Sequence, residues 1–191
     1  MTRQVRPAPP EPRLFDALLA ARACEGDEDA FAVLVRRHSR GLLLLASHLL
    51  GNPQDAEEAV QDAFVSAWRR LPEFRHGAAF TTWIYRITVN RCLNARHRRL
   101  PFLPLEAVPE PAAHDACSSP SRTAEDNAAT AALATAVGEL SADQRVCWIL
   151  RELHGLPYPQ IAQVTGTSEE TVRGRLFRAR RSLKEAMASW R

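Results

Sequence analysis

The stretch Ser168–Lys184, SEETVRGRLFRARRSLK, constrains the chain more than any other. Val172, Leu176, Ala179 and Leu183 recur at helical spacing, which puts them on one stripe of an α-helix. Arg173, Phe177, Arg181 and Lys184 recur at the same spacing on a different side, which is cationic and carries an aromatic ring. Just upstream, Tyr158–Val164 reads as a short helix with Ile161 and Val164 pointing inward, and Thr165-Gly166-Thr167 reads as a tight turn. Thr167, with Glu170 three residues on, predicts a capping box for the long helix. Helix, short glycine turn, basic helix is the pattern of a helix-turn-helix.

From Ser168 to Arg191 there are seven Lys/Arg and three acidic residues. Charge alone allows a plain solvated face on a core helix. Phe177 shifts the balance. A phenyl ring off the apolar stripe, beside Arg173 and Arg178, gains little in water but can pack against a thymine methyl. The stretch therefore points to DNA binding.

The rest of the chain bounds what this helix can belong to. Its 191 residues allow one or two small domains. The formal net charge is only +3, so any basic surface is local. Gly41–Leu50 is apolar but too short to span a bilayer, and the N-terminus MTRQVRPAPPEPR has no apolar core of a secretory signal. No membrane insertion and a cytoplasmic location are expected. Cys24, Cys92, Cys117 and Cys147 are scattered, which argues for free reduced thiols. His114 and Cys117 are spaced like two metal ligands, but no second pair accompanies them. No catalytic residue, metal set or cofactor is assigned.

In chain order, residues 1–13 are expected to be a disordered tail, since four prolines break any helix there. A short helix near Leu14–Ala23 ends at Gly26-Asp27, and Asp27 can cap the next helix. Phe31, Leu34, Val35, His38, Leu42, Leu45 and Leu49 trace the stripe of that second helix, which Gly51-Asn52-Pro53 stops. A third helix, about Gln54–Arg70, buries Ala56, Val60, Ala63, Phe64, Ala67 and Leu71. Its other face carries Glu58, Gln61, Asp62 and Val65. That face is either solvated or a docking surface for a basic partner.

Pro72 ends this helix, and the loop Glu73–Ala79 carries Phe74, Arg75 and His76. The next helix, about Phe80–Arg99, has five arginines, one histidine and no acid between Arg86 and Arg99. Trp83, Arg86, Asn90 and His97 share a face. Two readings fit: the face stacks on and hydrogen-bonds unpaired bases, or Trp83 is core and the arginines are solvated. Residues 101–127 hold five prolines and five acids against one arginine, which reads as an acidic linker. A helix resumes at about Ala128–Val137. Ser141-Ala142-Asp143-Gln144 is a second capping box, opening a helix with Val146, Ile149, Leu150 and Leu153 inside, and Gly155 closes it. The fold class is all-α: two helical domains, 14–100 and 128–191, joined by the linker, the second a helix-turn-helix.

These residues resemble the extracytoplasmic-function (ECF) sigma factors of the sigma-70 superfamily. The resemblance rests on DAEEAVQDAF (Asp55–Phe64) and FTTWIYRITVN (Phe80–Asn90) in the first domain. In the second it rests on GLPYPQIAQVTG (Gly155–Gly166) and ETVRGRLFRARRSL (Glu170–Leu183). It implies a subunit that gives promoter specificity to bacterial core RNA polymerase, not an enzyme. By the resemblance, Asp55, Glu58, Gln61 and Asp62 dock on the polymerase. Phe74, Arg75, His76, Phe80, Trp83, Arg86 and Asn90 capture the unpaired strand of the −10 element. Arg173, Gly174, Phe177 and Arg178 read the −35 duplex; Arg181 and Lys184, further along the helix, are expected to bind the same duplex through its phosphates. An anti-sigma factor is an implied partner beside polymerase and promoter DNA. The chain departs from the family pattern at Glu170, where glycine is usual, at Gly174, where serine is frequent, and at Pro157 and Pro159. The alternative is a stand-alone helix-turn-helix regulator with an N-terminal sensor domain, against which the Asp55–Phe64 motif argues. An enzyme built on Glu57, Glu58 and Asp62 lacks any accompanying nucleophile or metal spacing.

Overall fold

The computed structural model describes residues 12–74, 79–99 and 122–188, and the described residues contain no strand. The helices are α1 (Pro12–Cys24), α2 (Glu28–Leu50), α3 (Pro53–Arg70), α4 (Phe80–Arg99), α5 (Arg122–Glu139), α6 (Ala142–Trp148), α7 (Tyr158–Thr165) and α8 (Glu169–Ala186). A 3-10 turn, Leu71–Glu73, follows α3, and a π turn, Ile149–Leu153, follows α6. The chain divides into two compact units, Met1–Cys92 and Leu93–Arg191.

In the first unit α2 packs against both α1 and α3. Leu34, Leu42, Leu45 and Leu49 of α2 are buried, with Ala30 and Ala46 filling the gaps between them. The α3 stripe Ala56, Val60, Ala63, Phe64, Ala67 and Leu71 is buried throughout, as its spacing predicts. Burial of each large side chain contributes about 1.5–3 kcal/mol, far more than helix propensity, so the stripes decide which faces turn inward.

The joints follow from local chemistry. Asp27 caps α2 by accepting from the Ala30 N–H at 2.9 Å, and it pairs with Arg22 at 2.6 Å. The Ala30 bond, then the Arg22 guanidinium, hold its carboxyl below the usual range. Gly51 closes α2 with φ 71, a left-handed conformation that glycine adopts without steric penalty. Asn52 then accepts from the Gln54 and Asp55 N–H groups at 2.9 and 3.3 Å, with Pro53 in the first turn of α3.

In the second unit α5, α6 and α7 all pack against α8. The core holds Val146, Ile149, Leu150, Ile161, Val164, Val172, Leu176, Ala179 and Leu183. Arg145 is buried, yet its charge has partners. Its guanidinium donates to the Val137, Gly138 and Leu140 carbonyls at and just beyond the C-terminal end of α5, where the helix dipole favours a cation.

Three local expectations are corrected. First, α5 starts at Arg122, six residues before the expected Ala128, so residues 122–127 are helical rather than linker. TAEDNA follows a Ser-Pro-Ser turn signal and places Glu125 and Asp126 near the helix start, where acids suit the dipole. Second, Leu153 is 49% exposed. The π turn holds more residues per turn than an α-helix and so rotates Leu153 off the stripe that Val146, Ile149 and Leu150 follow. Third, the cap of α8 is Ser168, not Thr167: the Ser168 hydroxyl accepts from the Thr171 N–H at 3.2 Å, while the Thr167 hydroxyl pairs with that of Thr165. The expected tail (1–11) and most of the linker (101–121) lie outside the described residues.

Candidate nucleic-acid interface

The second unit builds its outer face from α7, the turn and α8. Gly166, at φ 67, ends α7 with its N–H on the Ala162 carbonyl, and α8 opens two residues later at the Ser168 cap. Val172, Leu176, Ala179 and Leu183 are all buried, which fixes the rotation of α8. The opposite side is therefore held outward: Arg173, Phe177, Arg178, Arg181 and Lys184 are exposed. Phe177 is 68% exposed, so water rather than the core surrounds its ring.

This outer face has two parts. Arg173, Phe177, Arg181 and Lys184 line a cleft of about 420 Å³ together with Tyr158 at the start of α7 and Arg180. Arg178 lies instead over Gly174, with a guanidinium nitrogen 3.6 Å from where a Cβ on Gly174 would stand. The missing side chain thus leaves backbone open beside Arg178, and a serine there would make ordinary contact. Tyr158 had no signal in the spacing of α8, because it reaches the cleft from another helix.

The cations differ in their partners. Arg175 pairs with Asp143, Arg180 with Glu152 at 2.6 Å and Arg181 with Glu185 at 2.9 Å. Arg173, Arg178 and Lys184 form no ion pair among the described residues. The hydrogen bonds to Glu152, and to a smaller extent the nearby Tyr158 side chain, hold the Arg180 proton more firmly than water does. The unpaired three are the charges a phosphate or base edge meets without first displacing a carboxylate.

The first unit carries two further groups of candidates. Along α3, Glu57, Glu58, Gln61 and Asp62 are exposed together with Val65, while Asp55 is half-buried in the first turn. They form an acidic strip with an apolar residue at one end. Beside α4 the aromatic residues cluster. Phe74 and Phe80 meet edge to face at 5.9 Å, and Trp83 lies 5.0 Å from Phe74 and 5.8 Å from Phe80. Phe74 and Phe80 are 6% and 2% exposed. In this arrangement their rings are not open to a base, and they brace Trp83 from behind. Trp83 is half-buried, with Arg86 and Asn90 exposed further along α4. Arg75, His76 and the side chain of His97 lie outside the described residues.

What stands behind this cluster joins two other helices and has no signal in linear spacing. His38 of α2 packs on Phe80 at 5.5 Å, and its Nε2 bonds the buried Asp16 carboxylate of α1 at 2.9 Å. Arg37 reaches the same carboxylate at 3.4 Å.

Nothing in the described thiols, Cys24, Cys92 and Cys147, suggests covalent chemistry. Burial pushes the Cys92 thiol up to about 12, and burial also raises Cys24 and Cys147. Among the described residues no group of three or more His, Cys, Asp or Glu side chains could hold a metal ion. No described helix is long and apolar enough to cross a membrane.

Residues 34–100 match the family model described as Sigma-70 region 2, and residues 130–183 match Sigma-70, region 4. The RNA polymerase sigma-H factor of Pseudomonas aeruginosa is 35% identical over 181 residues, covering 90% of this chain and 93% of that protein. The ECF RNA polymerase sigma-E factor of Escherichia coli is 34% identical over 179 residues, covering 90% and 93%. Among solved structures, CnrH in complex with the cytosolic domain of CnrY superposes with a TM-score of 0.69 at 30% identity, covering 92% of this chain and 98% of that one. The sigma factor RpoE in complex with the anti-sigma factor NepR, from Bartonella quintana, gives 0.62 at 26% identity, covering 83% and 96%.

Proposed function

The chain belongs to the ECF sigma factors of the sigma-70 family, and from that membership we propose how its surfaces divide the work of initiation. It is a transcription initiation factor rather than an enzyme, and bond-making belongs to the polymerase it joins. It acts on promoter DNA in the cytoplasm. The acidic strip Asp55, Glu58, Gln61 and Asp62 of α3 docks on core RNA polymerase. Trp83, Arg86 and Asn90, with Arg75 and His76, capture the unpaired −10 strand, and Phe74 and Phe80 brace Trp83 rather than stack on a base. Binding only unpaired DNA draws the duplex towards the open state. Arg173, Gly174, Phe177 and Arg178 read −35 base edges, and Arg181 and Lys184 meet phosphates. An anti-sigma factor is a further partner, as one is in the solved complex of RpoE with NepR.

One observation carries this reading: the second unit buries four side chains of α8 while Phe177 stands 68% exposed beside Arg173 and Arg178. A stable fold has no use for that ring in water, whereas a major groove does. The test is in vitro transcription with core polymerase. The wild-type chain is expected to direct initiation at promoters that bare core ignores, and Arg173→Ala with Arg178→Ala to abolish initiation while core binding persists. Binding of an operator duplex with no affinity for core would instead favour a stand-alone regulator.

A further inference from the structure

Among the α8 cations that line the cleft, Arg180 is the one held by a carboxylate from another element. Its Nε and a terminal nitrogen both donate to Glu152 Oε1, at 3.1 and 2.6 Å, from an element 28 residues earlier in the chain. Glu152 stands on the π turn Ile149–Leu153, a geometry that recurs at functional positions. Tyr158 lines the same cleft and likewise favours the charged guanidinium. Tyr158 is itself pinned, with the Arg151 guanidinium 5.2 Å above its ring and Arg151 donating to the Leu156 carbonyl at 3.0 Å. Arg181 has a carboxylate too, Glu185, but both side chains are more exposed, at 72% and 66%, and lie one turn apart on one helix. Such pairs exchange readily with water. The Arg180 pair is less exposed, at 50% and 36%, and ties two elements together.

Resting on the assignment of α8 to the −35 duplex, we propose that Glu152 is a specificity-determining residue: it holds Arg180 in one position, so that this guanidinium meets phosphate only in the specific register. A free arginine contributes a phosphate contact wherever the helix lands, because the backbone charge is the same along any sequence. A guanidinium fixed by Glu152 lacks that freedom. It sits at the wall of the cleft that holds Arg173, Phe177 and Lys184, so it meets phosphate when those side chains are seated and not otherwise. Glu152 thereby weakens binding to wrong sequences more than binding to the right one.

The experiment uses the full chain, as wild type, E152Q, R180A and the double variant. Binding is followed by fluorescence anisotropy over a range of salt, on a duplex that the wild type selects from a randomised pool and on a scrambled one. E152Q is expected to tighten the scrambled duplex about three- to tenfold and to raise its salt slope by about one unit. The selected duplex should change by less than about twofold, so that discrimination falls. In the R180A background the same substitution should do nothing. An equal gain on both duplexes, no change on either, or a gain that survives R180A overturns the proposal. If the wild type selects no duplex either alone or bound to core polymerase, in which form the same series is then read, the −35 assignment itself fails and the proposal falls with it, an outcome read before any variant is made.

Discussion

Helices α4 and α8 are both rich in arginine and both carry aromatic rings, but they place those rings in opposite ways. Along α4 the rings turn inward: Phe74 and Phe80 are buried and Trp83 is half-buried against them. On α8 the one ring turns outward, and the side chains at its back are small or aliphatic. The difference suits two kinds of target. An unpaired base must be stacked and enclosed, which calls for a wall that does not yield, and the Asp16–His38–Phe80 arrangement supplies backing for one. A duplex keeps its bases stacked and shows only their edges, so its reader must protrude. Rotation fixed by a strict apolar stripe lets α8 protrude without fraying.

The sharpest way to break this contrast is to remove one ring of each kind. Phe80→Ala should cost about 3–5 kcal/mol of stability, through lost burial and the cavity left behind. Phe177→Ala should change stability by less than about 0.5 kcal/mol, since the ring is 68% exposed and lies outside the core. Amide hydrogen exchange read separately over α3–α4 and over α7–α8 measures both in the full chain. A large loss for Phe177→Ala would mean that the ring has a structural role and that α8 is not free to read DNA.

The next effects separate binding from folding. Asn90→Ala should weaken a single-stranded −10 oligonucleotide by about 1–3 kcal/mol and leave a −35 duplex unaffected. Arg173→Ala or Arg178→Ala should do the reverse, by about 1–3 kcal/mol on the preferred −35 sequence, and flatten the ranking of variants. Loss on both substrates from either substitution would erase the division between the two helices. Asp62→Lys with Gln61→Ala should weaken core polymerase binding at least about tenfold, or 1.4 kcal/mol, in a pull-down titration. The fold should be unchanged, because both side chains are exposed.

What was legible in the sequence was whatever depends on periodicity and near neighbours. The stripes of α3 and α8, the Gly51-Asn52-Pro53 joint and the outward set Glu58, Gln61 and Asp62 all follow from spacing within one helix. What stayed hidden depends on pairing across the fold. Nothing in a linear reading joins Glu152 to Arg180 or Asp16 to His38. The π turn was invisible because its residues suit an α-helix equally well, and Leu153 was placed inside on that account. The aromatic residues of the first unit could be listed but not sorted: burial of Phe74 and Phe80 behind Trp83 is a tertiary outcome. Among the α8 cations, only the structure separates Arg173, Arg178 and Lys184 from those already paired.

That separation gives a smaller and more exact expectation. Lys184 is exposed, lines the cleft and has no ion pair among the described residues, so its whole charge is available to phosphate. Lys184→Ala should weaken all duplexes alike and lower the salt slope by about one unit. Arg181→Ala should lower the slope by less, since Glu185 already shares its charge at 2.9 Å. Equal slopes for the two variants would show that the Arg181–Glu185 pair opens freely on DNA.

The smallest expected effects lie at the start of α8, where the reading helix begins. Ser168 and Thr167 both carry hydroxyls and both precede an acid, so composition alone does not choose between them. The backbone does: Ser168 has φ −79 and ψ 157, the extended conformation of a cap, and its oxygen meets the Thr171 N–H. Ser168→Ala should therefore lower the stability of the second unit by about 1 kcal/mol. Glu170 is exposed in the first turn and acts on the helix only through the dipole, so Glu170→Ala should lower stability by about 0.3–1 kcal/mol at low salt and less as salt rises. Thr167→Ala removes only the bond to the Thr165 hydroxyl, an intermediate case of about 0.5–1 kcal/mol. Hydrogen exchange of the first-turn amides of α8 orders the three. Should Thr167→Ala exceed Ser168→Ala, the cap would sit one residue earlier, and Arg173 and Phe177 would each lie one position further into the helix than they do now.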